Sequence, residues 1–237
     1  MQWETWEGYR KWMLPVNGRE SYVVCPEEAA EGRPWVWRAE YFGAFDSADR
    51  MLLKQGWHIG FHKVSNMFGC PASVESMKAF HDKVCEELAL SSRAVLFGFS
   101  AGGAYSLQYA GAYPEDVRAL YLDAPAIDLR IFERVEEPEK TLCDRCGTPC
   151  GLTVRESLDK MGIPLERTDF YAAHRIPILL VAGLQDEAAV YERHGGPFVE
   201  RYHAAGGEIE TILKPTCGHH PHSLDDPQPI VDWILAH

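Results

Sequence analysis

An α/β architecture, with a mostly parallel central sheet and helices on both faces, follows from three observations. Short apolar runs alternate with helical patterns along nearly the whole chain, as a parallel sheet and its crossover helices require. The runs at 94–97, 119–122 and 178–182 are apolar at almost every position, as strands covered on both faces must be. A Gly98-Phe99-Ser100-Ala101-Gly102 turn joins the first of these runs to a helical pattern.

The elements follow in order. Residues 11–16 and 19–25 flank Asn17-Gly18, a strong two-residue turn signal, and predict a hairpin. A strand at 34–38 follows a polar loop. Asp46 or Ser47 can cap a helix that runs to about Gln55, with Gly56 as its stop. Residues 57–64 read as a strand. Residues 73–90 read as a helix, with Val74, Met77, Phe80, Val84 and Leu88 on one face. The strand at 94–97 precedes a helix at 102–112, and a strand follows at 119–122. Regularity then breaks over 128–174, a polar, Pro-interrupted stretch that carries the acidic run 133–139 and is expected to form a small lid or cap insertion. It resumes with a strand at 178–182, a helix at 192–205, a strand at 208–213 and a closing helix at 229–236. The 237 residues suit a single domain with this one insertion.

The net charge of −12 makes nucleic acid and anionic membrane surfaces poor partners, since both would repel the chain. No apolar stretch resembles a signal peptide or a membrane span, and a cytoplasmic location is expected. The seven cysteines are then expected as reduced thiols. Cys143, Cys146 and Cys150 have the spacing of soft metal ligands, but no second pair completes a four-ligand set. Free thiols are the favoured reading, and neither a metal nor a cofactor is expected.

The turn at 98–102 carries the chemistry. Ser100 sits between a buried strand and a helix N-terminus, where a sharp turn lifts its oxygen above the sheet and side chains at 98 or 102 would crowd the neighbouring elements. The free N–H groups and positive dipole end of the helix favour a developing oxyanion, with the Ala101 N–H as first donor. A serine hydroxyl needs a base, and the base an orienting carboxylate. Asp186 follows the late strand 178–182, where catalytic groups gather in open α/β sheets. Glu187 beside it and Asp123 after an earlier strand are rivals for the same role. The base is expected in Gly218-His219-His220-Pro221-His222, and His219, directly after the glycine, is the first choice. His220 and His222 are expected to hold the loop or the substrate. Cys217 lacks a helix N-terminus behind it and reads as a small buried hydrophobe.

With Ser100, Asp186 and His219 in that chain order, the sequence resembles the α/β-hydrolase superfamily over nearly its whole length. The stretches 34–40, 98–100 and 218–224 are similar to a bacterial esterase subgroup within it. The resemblance implies the α/β-hydrolase fold and a Ser-His-Asp triad. It departs at the oxyanion loop, where Arg38-Ala39-Glu40-Tyr41-Phe42-Gly43 stands in place of a His-Gly motif. The second oxyanion donor is then expected from a backbone N–H of Glu40 or Tyr41. Arg38 and Glu40 are expected to pair with each other, or Arg38 to hold a substrate carboxylate.

The expected activity is hydrolysis of a small-molecule carboxylic ester through an acyl-enzyme. Aromatic residues near the sheet's top edge, Phe99 among them, suit an acylated sugar or an aromatic ester. The alternatives are a peptidase or amidase, an acyltransferase with the same triad, or a binding protein on a hydrolase scaffold.

Overall fold

The computed structural model describes residues 2–130 and 152–237. Among these, the alternation becomes strands β1 (Gln2–Trp6), β2 (Tyr9–Met13), β3 (Ser21–Cys25), β4 (Trp35–Arg38), β5 (His58–His62), β6 (Ala94–Phe99), β7 (Val117–Asp123), β8 (Ile178–Gly183) and β9 (Ile209–Lys214). They form one sheet in the order β1-β2-β3-β5-β4-β6-β7-β8-β9. The first three strands and β5 pair antiparallel, and every pairing from β5 through β4 to β9 is parallel.

The hairpin closes around Asn17-Gly18, with Val16 bridged to Arg19 and Met13 opposite Tyr22. Strand β1 is an addition to what patterning predicts. Its side chains are almost all exposed, so no apolar alternation marks it. Gly8 turns it back onto β2 with φ 87°.

Seven α-helices cover the sheet among the described residues. They are α1 (Ser47–Lys54), α2 (Pro71–Leu88), α3 (Ala101–Ala112), α4 (Val154–Met161), α5 (Thr168–Ala173), α6 (Gly195–Ala204) and α7 (Gln228–Ala236). The core divides between the two faces with the period of two that a pleat imposes. Ile178, Leu180 and Ala182 of β8 join α2, α3 and α6 on one side. Leu179 and Val181 join α1 and α7 on the other. Both sets are buried, which is why β8 reads as an unbroken apolar run rather than an alternation.

Within 128–174, the described residues 152–174 carry α4 and α5, which the sequence reading does not anticipate. Thr153 caps α4 in a reciprocal box, accepting from the Glu156 N–H while Glu156 accepts from the Thr153 N–H. Leu158, Leu165 and Tyr171 are buried in the same core as α2, α3 and α6. Cys143, Cys146 and Cys150 lie outside the described residues, as does the acidic run 133–139. Among the described residues, no helix is long and apolar enough to cross a membrane.

Candidate active site

Ser100 stands where β6 hands over to α3, at φ 48° and ψ −117°. That left-handed backbone is strained for any residue with a side chain, and it persists because its surroundings over-determine it. The Ser100 N–H donates to the Asp123 carbonyl at 3.0 Å, and the Ser100 carbonyl accepts from Gly103 and Ala126 at 3.0 and 2.9 Å. Gly98 is required by close approach. A Cβ there would lie 2.8 Å from Gly103 Cα and 2.9 Å from a Leu122 methyl carbon. A Cβ on Gly102 would press on Glu40, whose own Cβ would be 3.2 Å away and backbone nitrogen 3.4 Å. The crowding at 102 therefore comes from the loop after β4, not from the sheet.

Residues 119 positions apart meet at the serine. His219 Nε2 lies 3.0 Å from Ser100 Oγ, and His219 Nδ1 lies 2.8 Å from Asp186 Oδ2. The other Asp186 oxygen accepts from the Ala188 and Ala189 N–H groups, both at 2.8 Å. Burial by itself would raise the Asp186 carboxyl. The bonds from His219, Ala189 and Ala188 outweigh it and hold the group below its ordinary value. Asp186 thus stays an acceptor and keeps the Nδ1 proton on the imidazole.

The rival acid has a different partner. Asp123 Oδ1 lies 2.8 Å from His222 Nδ1, while Oδ2 accepts from the Tyr121 hydroxyl and the Ser223 N–H, each at 2.8 Å. Both residues are buried. Glu187 makes none of the bonds to His219. His220 is exposed and stacks on Phe45 at 5.8 Å between centroids.

Arg38 corrects an expectation. It does not pair with Glu40. It is fully buried and forms a two-pronged bond to Asp49, Nε to Oδ1 and Nη2 to Oδ2, both at 2.8 Å. Nη2 also donates to the Ala44 and Phe45 carbonyls. The guanidinium lies 4.3 Å from the Phe99 ring, whose centroid is 5.3 Å from His222. Substrate contact is the alternative expectation for Arg38, one of two for His222, and the expectation for Phe99. Instead they form a buried stack that runs from Asp49 to Asp123. Arg38 and Phe99 lie on central strands, whose side chains point into one of two covered faces, and His222 is drawn in from its loop by Asp123.

Glu40 bonds the Ser65 hydroxyl at 2.8 Å and the Tyr41 N–H at 3.4 Å. Burial raises its carboxyl, and the Ser65 and Tyr41 donors pull it partly back. Tyr41 has φ 54° and an exposed side chain. Among the described residues, the backbone N–H groups of Ala101 and Glu40 have no protein acceptor. Cys217 is half-buried rather than buried, with its thiol directed at the His220 carbonyl at 3.6 Å.

Sequence reasoning missed Asp49, Ser65 and His194. His194 Nδ1 accepts from the Ile127 and Asp128 N–H groups at 3.1 Å and ties down the chain after β7. None has a local signal, because each partner lies on another element.

The profile of a family described as alpha/beta hydrolase fold matches residues 31–140. The solved structure of Est1E from Butyrivibrio proteoclasticus is similar at 16% identity and TM-score 0.67, over 95% of this chain and 98% of that one. This chain has the α/β-hydrolase fold.

Two larger proteins share the hydrolase fold with it. A puromycin-hydrolyzing peptidase of Mycobacterium tuberculosis is similar at 15% identity and TM-score 0.66, over 95% of this chain and 38% of that one. Dipeptidyl peptidase 4 of Porphyromonas gingivalis is similar at 13% identity and TM-score 0.69, over 96% of this chain and 35% of that one. The chain spans under two-fifths of the length of these two peptidases. At such identities the likeness carries the hydrolase fold alone. No curated protein matches the sequence.

Proposed function

We propose that this α/β-hydrolase is a serine esterase that cleaves a small-molecule carboxylic ester through an acyl-enzyme. The observation that carries the reading is the unbroken chain from Ser100 Oγ through His219 to Asp186, at 3.0 and 2.8 Å, on a strained elbow above a helix N-terminus.

His219 Nε2 takes the Ser100 proton as Oγ attacks the ester carbonyl. The tetrahedral oxyanion draws on the Ala101 N–H and on the Glu40 N–H beside it. The Tyr41 N–H is turned toward the Glu40 carboxylate, which favours Glu40 as the second backbone donor. Collapse of the intermediate expels the alcohol, protonated by His219, and leaves the acyl group on Ser100. Water, activated by the same imidazole, then attacks the acyl-enzyme, and Ser100 leaves with the proton restored. The imidazolium formed in each half-reaction is stabilised by Asp186, which is ionised for the reason given above.

The rim supports an apolar or aromatic acyl group. Tyr41, Phe45 and Leu184 are large hydrophobic side chains left exposed, and Phe45 stacks on His220 next to the base. An amide-cleaving reading is supported by the fold likeness to two peptidases. One panel separates the two: aryl esters, sugar acetates and aminoacyl anilides, with wild type and Ser100→Ala, alongside labelling by a fluorophosphonate. Ester turnover and labelling that both vanish in Ser100→Ala are the expected result. Turnover retained in Ser100→Ala would overturn the proposal, and faster anilide turnover would move the activity to peptidase.

A further inference from the structure

Three imidazoles cluster in the loop that carries His219. His219, His220 and His222 each offer a nitrogen, and these atoms lie within 4.8 Å of one another. Their ring centroids are 4.8 to 5.0 Å apart. The hydrolytic chemistry uses only one of them.

The other nitrogens are arranged in a way a loop filler does not need. His222 Nδ1 is engaged by Asp123, which leaves Nε2 as its free atom, and that atom is buried without any hydrogen-bond partner. The His222 side chain is 2% exposed. An unpaired nitrogen at that depth costs stability. His219 is held the same way, with Nδ1 on Asp186, while its Nε2 lies 3.0 Å from Ser100 Oγ. Two carboxylate–imidazole pairs thus engage the Nδ1 atoms and leave both Nε2 atoms off the carboxylates, the arrangement that fixes tautomer and raises donor strength in histidine metal ligands. His220 is exposed, and its ring stacks on Phe45.

We propose that His219, His220 and His222 bind a divalent transition metal ion, Zn2+ foremost, and that its binding switches the hydrolase off. A three-imidazole set with one position left for water suits Zn2+. Zn–N bonds of about 2.0–2.1 Å put tetrahedral ligand nitrogens about 3.3 Å apart, so the cluster must close by up to about 1.5 Å. The exposed His220 ring is the part free to move. Once the ion holds the Nε2 lone pair of His219, the Ser100 proton has no acceptor. The binding step stands on the imidazoles alone, and the inhibition rests on the proposed role of His219.

Two measurements test the two parts separately. Zn2+ titrated into Ser100→Ala protein by calorimetry is expected to show a one-to-one phase that His220→Gln, in the same background, weakens at least tenfold. His220 is exposed, so that variant folds. In wild-type enzyme, Zn2+ is expected to suppress ester turnover, EDTA to restore it, and His220→Gln to raise the half-inhibiting concentration at least tenfold. Absence of a one-to-one phase, or a phase unchanged by His220→Gln, overturns the site whether or not the protein proves to be an esterase. Binding that leaves turnover intact overturns the inhibitory role.

Discussion

His222 Nδ1 lies 2.8 Å from Asp123 Oδ1, across 99 residues of chain, and repeats three residues later the bond that joins His219 to Asp186. Two His–Asp pairs therefore stand side by side at the ends of adjacent strands β7 and β8. Only one of them reaches the serine.

The pairs predict opposite consequences for their carboxylates. Asp186→Asn removes the charge behind the base and reverses the hydrogen-bond role of the side chain, so kcat should fall by ~10^4-fold with little change in fold. Asp123→Asn leaves buried donors from Tyr121, Ser223 and His222 poorly matched, and should lower stability by roughly 1–3 kcal/mol while kcat falls less than tenfold. Steady-state kinetics and urea denaturation of the two variants check this. Loss of activity in Asp123→Asn alone would transfer the orienting role to Asp123.

The elbow stores strain that a glycine would release. Ser100→Gly should be more stable than Ser100→Ala by about 1 kcal/mol, because φ 48° costs a Cβ-bearing residue more than glycine loses in chain entropy. Both variants lack the Ser100 hydroxyl, so thermal or urea melts compare them cleanly. Equal midpoints would mean that the turn relaxes without cost.

The Arg38–Asp49 pair should behave as a buried charge pair. Asp49→Ala leaves an uncompensated guanidinium under the site and should cost roughly 3–5 kcal/mol. Arg38→Met with Asp49→Leu should recover much of that loss, since it removes both charges at similar volume. Urea unfolding of the single and double variants measures the coupling. A double variant no better than Asp49→Ala would show that the carbonyls of Ala44 and Phe45, not Asp49, are the partners that matter.

Acid sensitivity is predicted from two other histidines. Burial pushes the His58 and His62 imidazoles down to about 4. Free imidazoles titrate near 6.5, so between these values the unfolded chain binds more protons than the folded one. The stability of holding them neutral is complete above about pH 6.5 and is lost as the pH falls toward 4. At about 1.4 kcal/mol per pH unit the loss is on the order of 3 kcal/mol for each. His62 bridges Ser21 and Ser76 at 2.7 and 2.8 Å, and His62→Gln keeps a neutral polar group there. Its urea midpoint should fall less between pH 6.5 and 4.5 than that of wild type. Parallel curves would remove His62 from the account.

What the sequence determined by itself is local in origin. An all-apolar run such as Ile178–Gly183 is a strand covered on both faces wherever it sits. Asn17-Gly18 closes its own hairpin, and Gly98 to Gly102 sets its own turn between β6 and α3. Chain order then singled out Ser100, Asp186 and His219, which the structure brings within hydrogen-bonding distance. Tertiary structure alone decided the partners. Arg38 lies two residues from Glu40 in sequence, yet the guanidinium and the carboxylate are carried to different neighbours, Asp49 and Ser65. Asp123 was a plausible acid by position, and only packing gave it His222 instead of His219. Helices α4 and α5 formed where the sequence looked irregular: the Thr153–Glu156 capping box starts α4, and burial of Leu158 and Tyr171 in the core shared with α2 and α3 holds both short helices. Side-chain partnership depends on which elements meet, and that is settled by the core rather than by any stretch of residues read alone.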